Sequence, residues 1–157
     1  MTNPLEFRSS TELIIESDKL TPEEITARIG IRCDRCWKIG ELRGKTGKKW
    51  TNNGWVLRSS ALSESQTHSS PFIVALGNLV ERLRPITDNI RSLSEEADVG
   101  ISVDILASDI PGLSIGREAL KMIADLGAWL DIDVVISEAP SGSLAQPGDE
   151  TDEYRLQ

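Results

Sequence analysis

The chain switches repeatedly between two hydrophobic periods, and that switching limits its architecture more than any other feature. Val99, Ile101, Val103 and Ile105 alternate with Gly100, Ser102 and Asp104, the period of a strand with one buried face. Leu130, Ile132, Val134 and Ile136 alternate with Asp131, Asp133 and Val135 in Trp129–Ser137. Between Ser70 and Leu93 the spacing changes. Phe72, Leu76, Leu79, Val80 and Leu83 form a helical stripe, and Pro85 ends or kinks it. Ile86, Ile90 and Leu93 continue as a second helical piece. A chain that alternates these patterns builds a sheet and covers one face of it with helices.

The remaining segments fit the same plan. Leu5–Glu16 reads as a strand with Phe7, Ser9, Thr11, Leu13 and Ile15 on one face. A short helix follows. Thr21 is its N-cap, Pro22 its first residue, Glu24 the partner in a capping box and Gly30 its terminator. Ile31–Ile39 is extended, and Gly40 with Gly44–Gly47 marks a loop. In Trp50–Ser59, Asn53-Gly54 signals a turn or a kink between two strand pieces. Trp55 and Leu57 then face one way, Val56 and Arg58 the other. Ser59–Ser69 reads as a polar surface loop, and Ser70-Pro71 opens the next helix. Ile110–Leu113 is a Pro-Gly connection. Ser114 is expected to cap a helix from about Ile115 to Leu126, with Leu120, Ile123 and Ala124 inward and Gly127 as its stop. The first six elements follow the split βαβ order of a ferredoxin-like sandwich. The expected fold is therefore α+β: a mostly antiparallel sheet with helices on one face, extended by a C-terminal helix and strand. Residues 1–137 form one domain in this reading, and 138–157, with two prolines, two glycines and few residues that could pack, a flexible acidic tail.

The charge is unevenly placed. The total is -8, yet Arg28–Arg58 holds nine Lys or Arg against two acids, Asp34 and Glu41. Nine less two is +7, so the rest of the chain carries -15. Such a division suits a charged partner, or it is a solvated basic hairpin. The acidic total disfavours general nucleic-acid binding. The N-terminus lacks an apolar signal region, no apolar run reaches membrane length, and two cysteines make no disulfide framework. The expectation is a cytoplasmic protein with reduced thiols.

Several motifs invite chemistry. Cys33-Asp34-Arg35-Cys36 has CxxC spacing, but zinc needs two more ligands and His68 is the one histidine. A redox pair would stand at a helix N-terminus, whereas this one follows a helix. The pair otherwise reads as one buried and one exposed cysteine. Gly40-Glu41-Leu42-Arg43-Gly44-Lys45-Thr46 has one residue too few between its glycines for a phosphate loop. Trp37, Trp50 and Trp55 lie among cations, a pattern that can stack single-stranded nucleic acid or can pack at a sheet edge. Asp104, Asp131 and Asp133 face outward and lie side by side if their strands pair. No nucleophile or base completes a catalytic set. The candidate binding surface is Arg35, Trp37, Lys38, Arg43, Lys45, Lys48, Lys49, Trp50 and Trp55. No catalytic residue, metal or cofactor is assigned.

The order of TPEEITARIGI, then Trp37-Lys38-x-Gly40, then a strand with Trp50 or Trp55, then LSIGREALKMIADLGAWLDIDVVI, resembles the bacterial domain of unknown function 4279. The resemblance spans roughly Leu5 to Ile136. The CxxC departs from it, because the expected proline ahead of Trp37 is missing from Arg32–Cys36. The resemblance implies a compact α+β domain without an established enzyme activity, some members of which stand in toxin–immunity neighbourhoods. By that analogy the chain is a non-enzymatic protein-binding domain, an immunity protein that neutralises a cognate toxin. The alternative is a small-ligand or nucleic-acid sensor that uses the basic Trp segment 31–58.

Overall fold

The computed structural model describes residues 8–62, 71–107 and 112–136. The expected strand start at 5–7, the Ser-rich stretch 63–69 with His68, the cap Ser70 and the tail 138–157 lie outside these residues. The elements in chain order are β1 (Arg8–Ser17), α1 (Pro22–Ile29), β2 (Arg35–Trp37), β3 (Asn53–Leu62), α2 (Pro71–Leu83), α3 (Thr87–Leu93), β4 (Asp98–Ala107), α4 (Arg117–Asp125) and β5 (Trp129–Ile136). The five strands form one sheet in the order β2-β3-β1-β4-β5. All neighbours are antiparallel except β4 and β5, which the crossover through α4 makes parallel.

Local chemistry sets the elements that the sequence marks most clearly. Thr21 Oγ1 accepts from the Glu24 amide at 3.3 Å, and the Glu24 carboxylate accepts from the Thr21 amide at 2.8 Å, a complete capping box. Gly30 ends α1 at φ 89, a left-handed conformation that costs an L side chain energy. After α2, the turn Arg84–Ile86 absorbs Pro85 and leads into α3. Among the described residues no helix is long and apolar enough to cross a membrane.

One core lies between the sheet and its helices. Leu13 and Ile15 of β1, Trp55 and Leu57 of β3, and Val99, Ile101, Val103 and Ile105 of β4 face it. Ile25, Ile29, Phe72, Leu76, Leu79, Leu83, Ile90 and Leu93 come down from the helices. Among the described residues, the apolar alternation thus puts the helices on a single face and leaves the other face of the sheet uncovered by them.

Five expectations change. Asn53-Gly54 is neither a turn nor a kink, because β3 begins there and runs unbroken to Leu62. The polar stretch from Ser59 continues that strand, since β1 supplies a hydrogen-bonding partner as far as Arg8 opposite Leu62. Backbone pairing to a central strand outweighs a loop-like composition here. Ser114 does not cap α4, whose N-cap is Gly116 without a side-chain bond. Leu120 is 50% exposed and Ala124 is exposed, so α4 buries Ile123 alone, followed by Leu126. Val134 and Ile136 are 39% and 43% exposed, because β5 is an edge strand and α4 is too short to cover its far end.

Candidate functional site

The uncovered face of the sheet is built in rows. One row reads Arg35, Val56, Ile14, Gly100, Trp129 across the five strands, and the next reads Trp37, Gly54, Glu16, Asp98. Each tryptophan lies against the glycine of the neighbouring strand. A Cβ on Gly54 would stand 2.0 Å from the Trp37 ring, and one on Gly100 would stand 1.9 Å from the Trp129 ring. A glycine inside a strand often marks such a close approach. The two rings sit over β3 and β4 with β1 between them, roughly 10 Å apart by strand spacing.

On the β2 side the aromatic surface is already stacked. Gly40–Trp50 folds back on itself as a small hairpin, with Gly40 and Trp50 amides donating to the Trp50 and Glu41 carbonyls at 2.8 and 2.9 Å. This returns Trp50 onto Trp37, with ring centroids 4.2 Å apart and planes 19° from parallel. The Arg43 guanidinium covers the next layer, 4.6 Å from the Trp50 centroid, and Arg35 stands 5.4 Å from that of Trp37. The order glycine, indole, indole, guanidinium uses favourable cation–π geometry.

The residues predicted as a surface divide accordingly. Arg35, Trp37, Arg43 and Trp50 come together in this stack. Lys38 is drawn away to α1, 2.7 Å from Glu23, whose carboxyl it holds below the usual range. Lys45, Lys48 and Lys49 lie on the exposed hairpin. Trp55 is on the opposite side of the sheet, 0% exposed, with its indole N–H donated to Thr26 Oγ1 at 3.0 Å. It offers no surface, and Trp37 at 6% offers almost none. The tryptophans of this segment therefore leave no open ring face for stacked bases.

The β4–β5 side has the opposite charge and an open ring. Trp129 is 39% exposed, and its N–H donates to Asp98 at 3.0 Å. Asp104 stands directly across from Asp133, as the outward alternation predicts, and Asp131 across from Ser102. Exposed Leu106 and Val135 form another pair on this face. Between the two halves lies Glu12 of β1, almost fully buried. Arg58 donates to it through Nε at 2.7 Å and Arg35 approaches at 3.3 Å. Beyond Asp98 the face continues into a cavity of about 510 Å³ whose lining includes Glu16, Asp18, Glu95 and Glu96.

Asp104 has its carboxyl raised above the usual range, by burial first and then by the charges of Glu12 and Asp133. It therefore binds its proton more tightly folded than unfolded. Ionised Asp104 opposes folding above the folded pKa, and the penalty is relieved as pH falls through that value. Asp104→Asn is expected to stabilise the protein at neutral pH by about 0.5 kcal/mol, the scale of a like-charge cross-strand pair. Urea melts below the ordinary carboxylate range should show that gain disappear.

Sequence reading missed Trp129 and Glu12 as features of the site. Gly100 was the available signal for Trp129, an interior strand glycine opposite a strand-opening tryptophan. Glu12 carried no signal, because its arginines come from strands 23 and 46 residues away.

Comparison with known proteins bears on the whole sheet. No curated protein and no solved structure matches the chain. The family model described as a domain of unknown function, DUF4279, matches residues 6–137, which takes in every described strand and helix. The chain therefore belongs to the DUF4279 family.

Proposed function

We propose that this chain is a protein-binding domain that docks the basic surface of a partner on the acidic half of its open sheet face. The observation that carries this reading is Trp129, set against Gly100 and exposed, with Asp98 bonded to it and Asp131 and Asp133 following on the same face of β5. An exposed aromatic held rigid by the backbone beneath it is the kind of residue that dominates interfaces. The surrounding carboxylates select a cationic partner and speed encounter at low salt. The acidic cavity beside Asp98 suits a lysine or arginine side chain from that partner.

Within this reading, the finer form is an immunity protein. Its partner is a toxin whose basic surface would otherwise meet nucleic acid. For the scaffold, the run β2-β3-β1-β4 with all pairs antiparallel supports a ferredoxin-like split βαβ unit to which α4 and β5 are added.

Co-expression with the protein encoded by the adjacent reading frame tests the proposal. The expected result is a complex on size exclusion and protection of the host from that protein's toxicity. Trp129→Ala should weaken the complex about 30-fold, the scale of an interface hot spot. Asp131→Lys with Asp133→Lys should weaken it further, while Lys45→Glu with Lys48→Glu leaves it unchanged. Absence of a complex removes the reading. Loss of binding through the lysine reversals instead moves the site to the hairpin and overturns the acidic face.

A further inference from the structure

Cys33 and Cys36 take no part in the binding face, and they flank a single bend on the helix side of the sheet. The chain leaves α1 at Gly30 and bends at Asp34 before β2 begins. That bend is pinned on both sides. The Asp34 amide donates to the Val56 carbonyl at 2.8 Å, and its carboxylate accepts from the Arg58 amide at 2.7 Å. Beyond the bend, Cys36 pairs across from Trp55, whose side chain points into the core, so both face the helix side. Cys33 also packs against the core from its half-buried position. The two thiols thus stand three residues apart on the same side of the sheet, and burial, followed by the neighbouring Cys36, pushes the Cys33 thiol up. One thiol is exposed, the other is sheltered beside it, and the backbone between them is held.

We propose that Cys33 and Cys36 form a dithiol site that a low-molecular-weight disulfide oxidises reversibly to an intramolecular disulfide. Exposed Cys36 reacts first. Its thiolate attacks one sulfur of the small disulfide, forms a mixed disulfide and releases one thiolate. The Cys33 thiolate then attacks the Cys36 sulfur, forms the Cys33–Cys36 bond and releases the second thiolate. The two protons from the cysteines pass to the two small thiols. Two cysteine thiols are oxidised, one small disulfide is reduced, and excess small thiol reverses both steps. The product joins β2 to the edge of the core, one residue ahead of Trp37 and its stack. It also sets a disulfide beside Trp55, where it quenches indole emission.

The test uses the full chain equilibrated with excess glutathione disulfide, trapped with iodoacetamide and weighed intact. The expected product is a single species lighter by two hydrogens, with lower tryptophan fluorescence, and excess glutathione restores mass and emission. Cys33→Ser should stop at glutathionylated Cys36. Cys36→Ser should leave Cys33 largely unmodified, with native circular dichroism showing that both variants fold. The proposal is overturned if both cysteines are still alkylated after equilibration. It is equally overturned if the unaltered chain ends as a stable mixed disulfide at Cys36.

Discussion

Trp55→Ala is expected to lower the unfolding free energy by about 4 kcal/mol, within the range for removing a buried aromatic. The residue is 0% exposed and lies on the helix side of β3, between Ile15 of β1 and Cys36 of β2. Its removal opens a space between sheet and helices that the surrounding Leu, Ile and Trp packing cannot close by small shifts. It also leaves the Thr26 hydroxyl without its indole donor. Trp55→Phe separates the two contributions. It keeps most of the apolar volume and loses the hydrogen bond, so about 1 kcal/mol is expected from that bond. Urea unfolding of both variants measures the difference. If Trp55→Ala costs less than about 2 kcal/mol, the site collapses more easily than a closed-packed core allows.

Gly54→Ala should reverse an ordinary trend. In a strand interior, alanine in place of glycine normally gains about 0.5–1 kcal/mol by restricting the unfolded chain. At Gly54 the new methyl would lie 2.0 Å from Trp37, so the indole has to leave. With it goes the stack onto Trp50. The expected result is a loss of about 3 kcal/mol, at the upper end for overpacking. The partner variant makes the argument sharp. In a Trp37→Ala background the obstruction is gone, and Gly54→Ala should then stabilise. A cycle in which the two changes simply add would show that the ring and the glycine are not in contact.

The parts of the structure legible in the sequence are those whose cause is local. The α1 boundaries follow from Thr21, Glu24 and Gly30, all within one turn of the ends they govern. The buried sides of β1 and β4 follow from a period-two alternation that needs no knowledge of neighbours. The pairing of Asp104 with Asp133 follows once the two strands are adjacent. What was hidden depends on distant partners. The strand at Ser59 exists because β1 lies alongside it. The exposure of Val134 and Ile136 depends on where a nine-residue helix comes to rest. Composition in the basic segment left base stacking and packing at a sheet edge both open, and each ring there finds a neighbour to pack on: Trp37 its glycine, Trp50 its arginine, Trp55 the core. The open ring belongs to Trp129, whose charged surroundings are assembled from two strands.

The central position of β1 has a consequence for the order of assembly. Leu13 faces Leu57, 44 residues later, on one side and Ile101, 88 residues later, on the other. During vectorial synthesis this central strand is made before both of its neighbours and has no antiparallel partner until β3 has left the ribosome. Its second edge stays unpaired until β4 follows, after α2 and α3. Native contacts of such sequence separation are closed late and slowly. Leu13 and Ile15 thus wait with neither edge paired until β3 emerges, and with one edge unpaired until β4 does. The polar block Ser9–Glu12 before Leu13–Ile15, and Glu16 and Ser17 after it, limit the apolar run that other nascent chains could pair with to three residues.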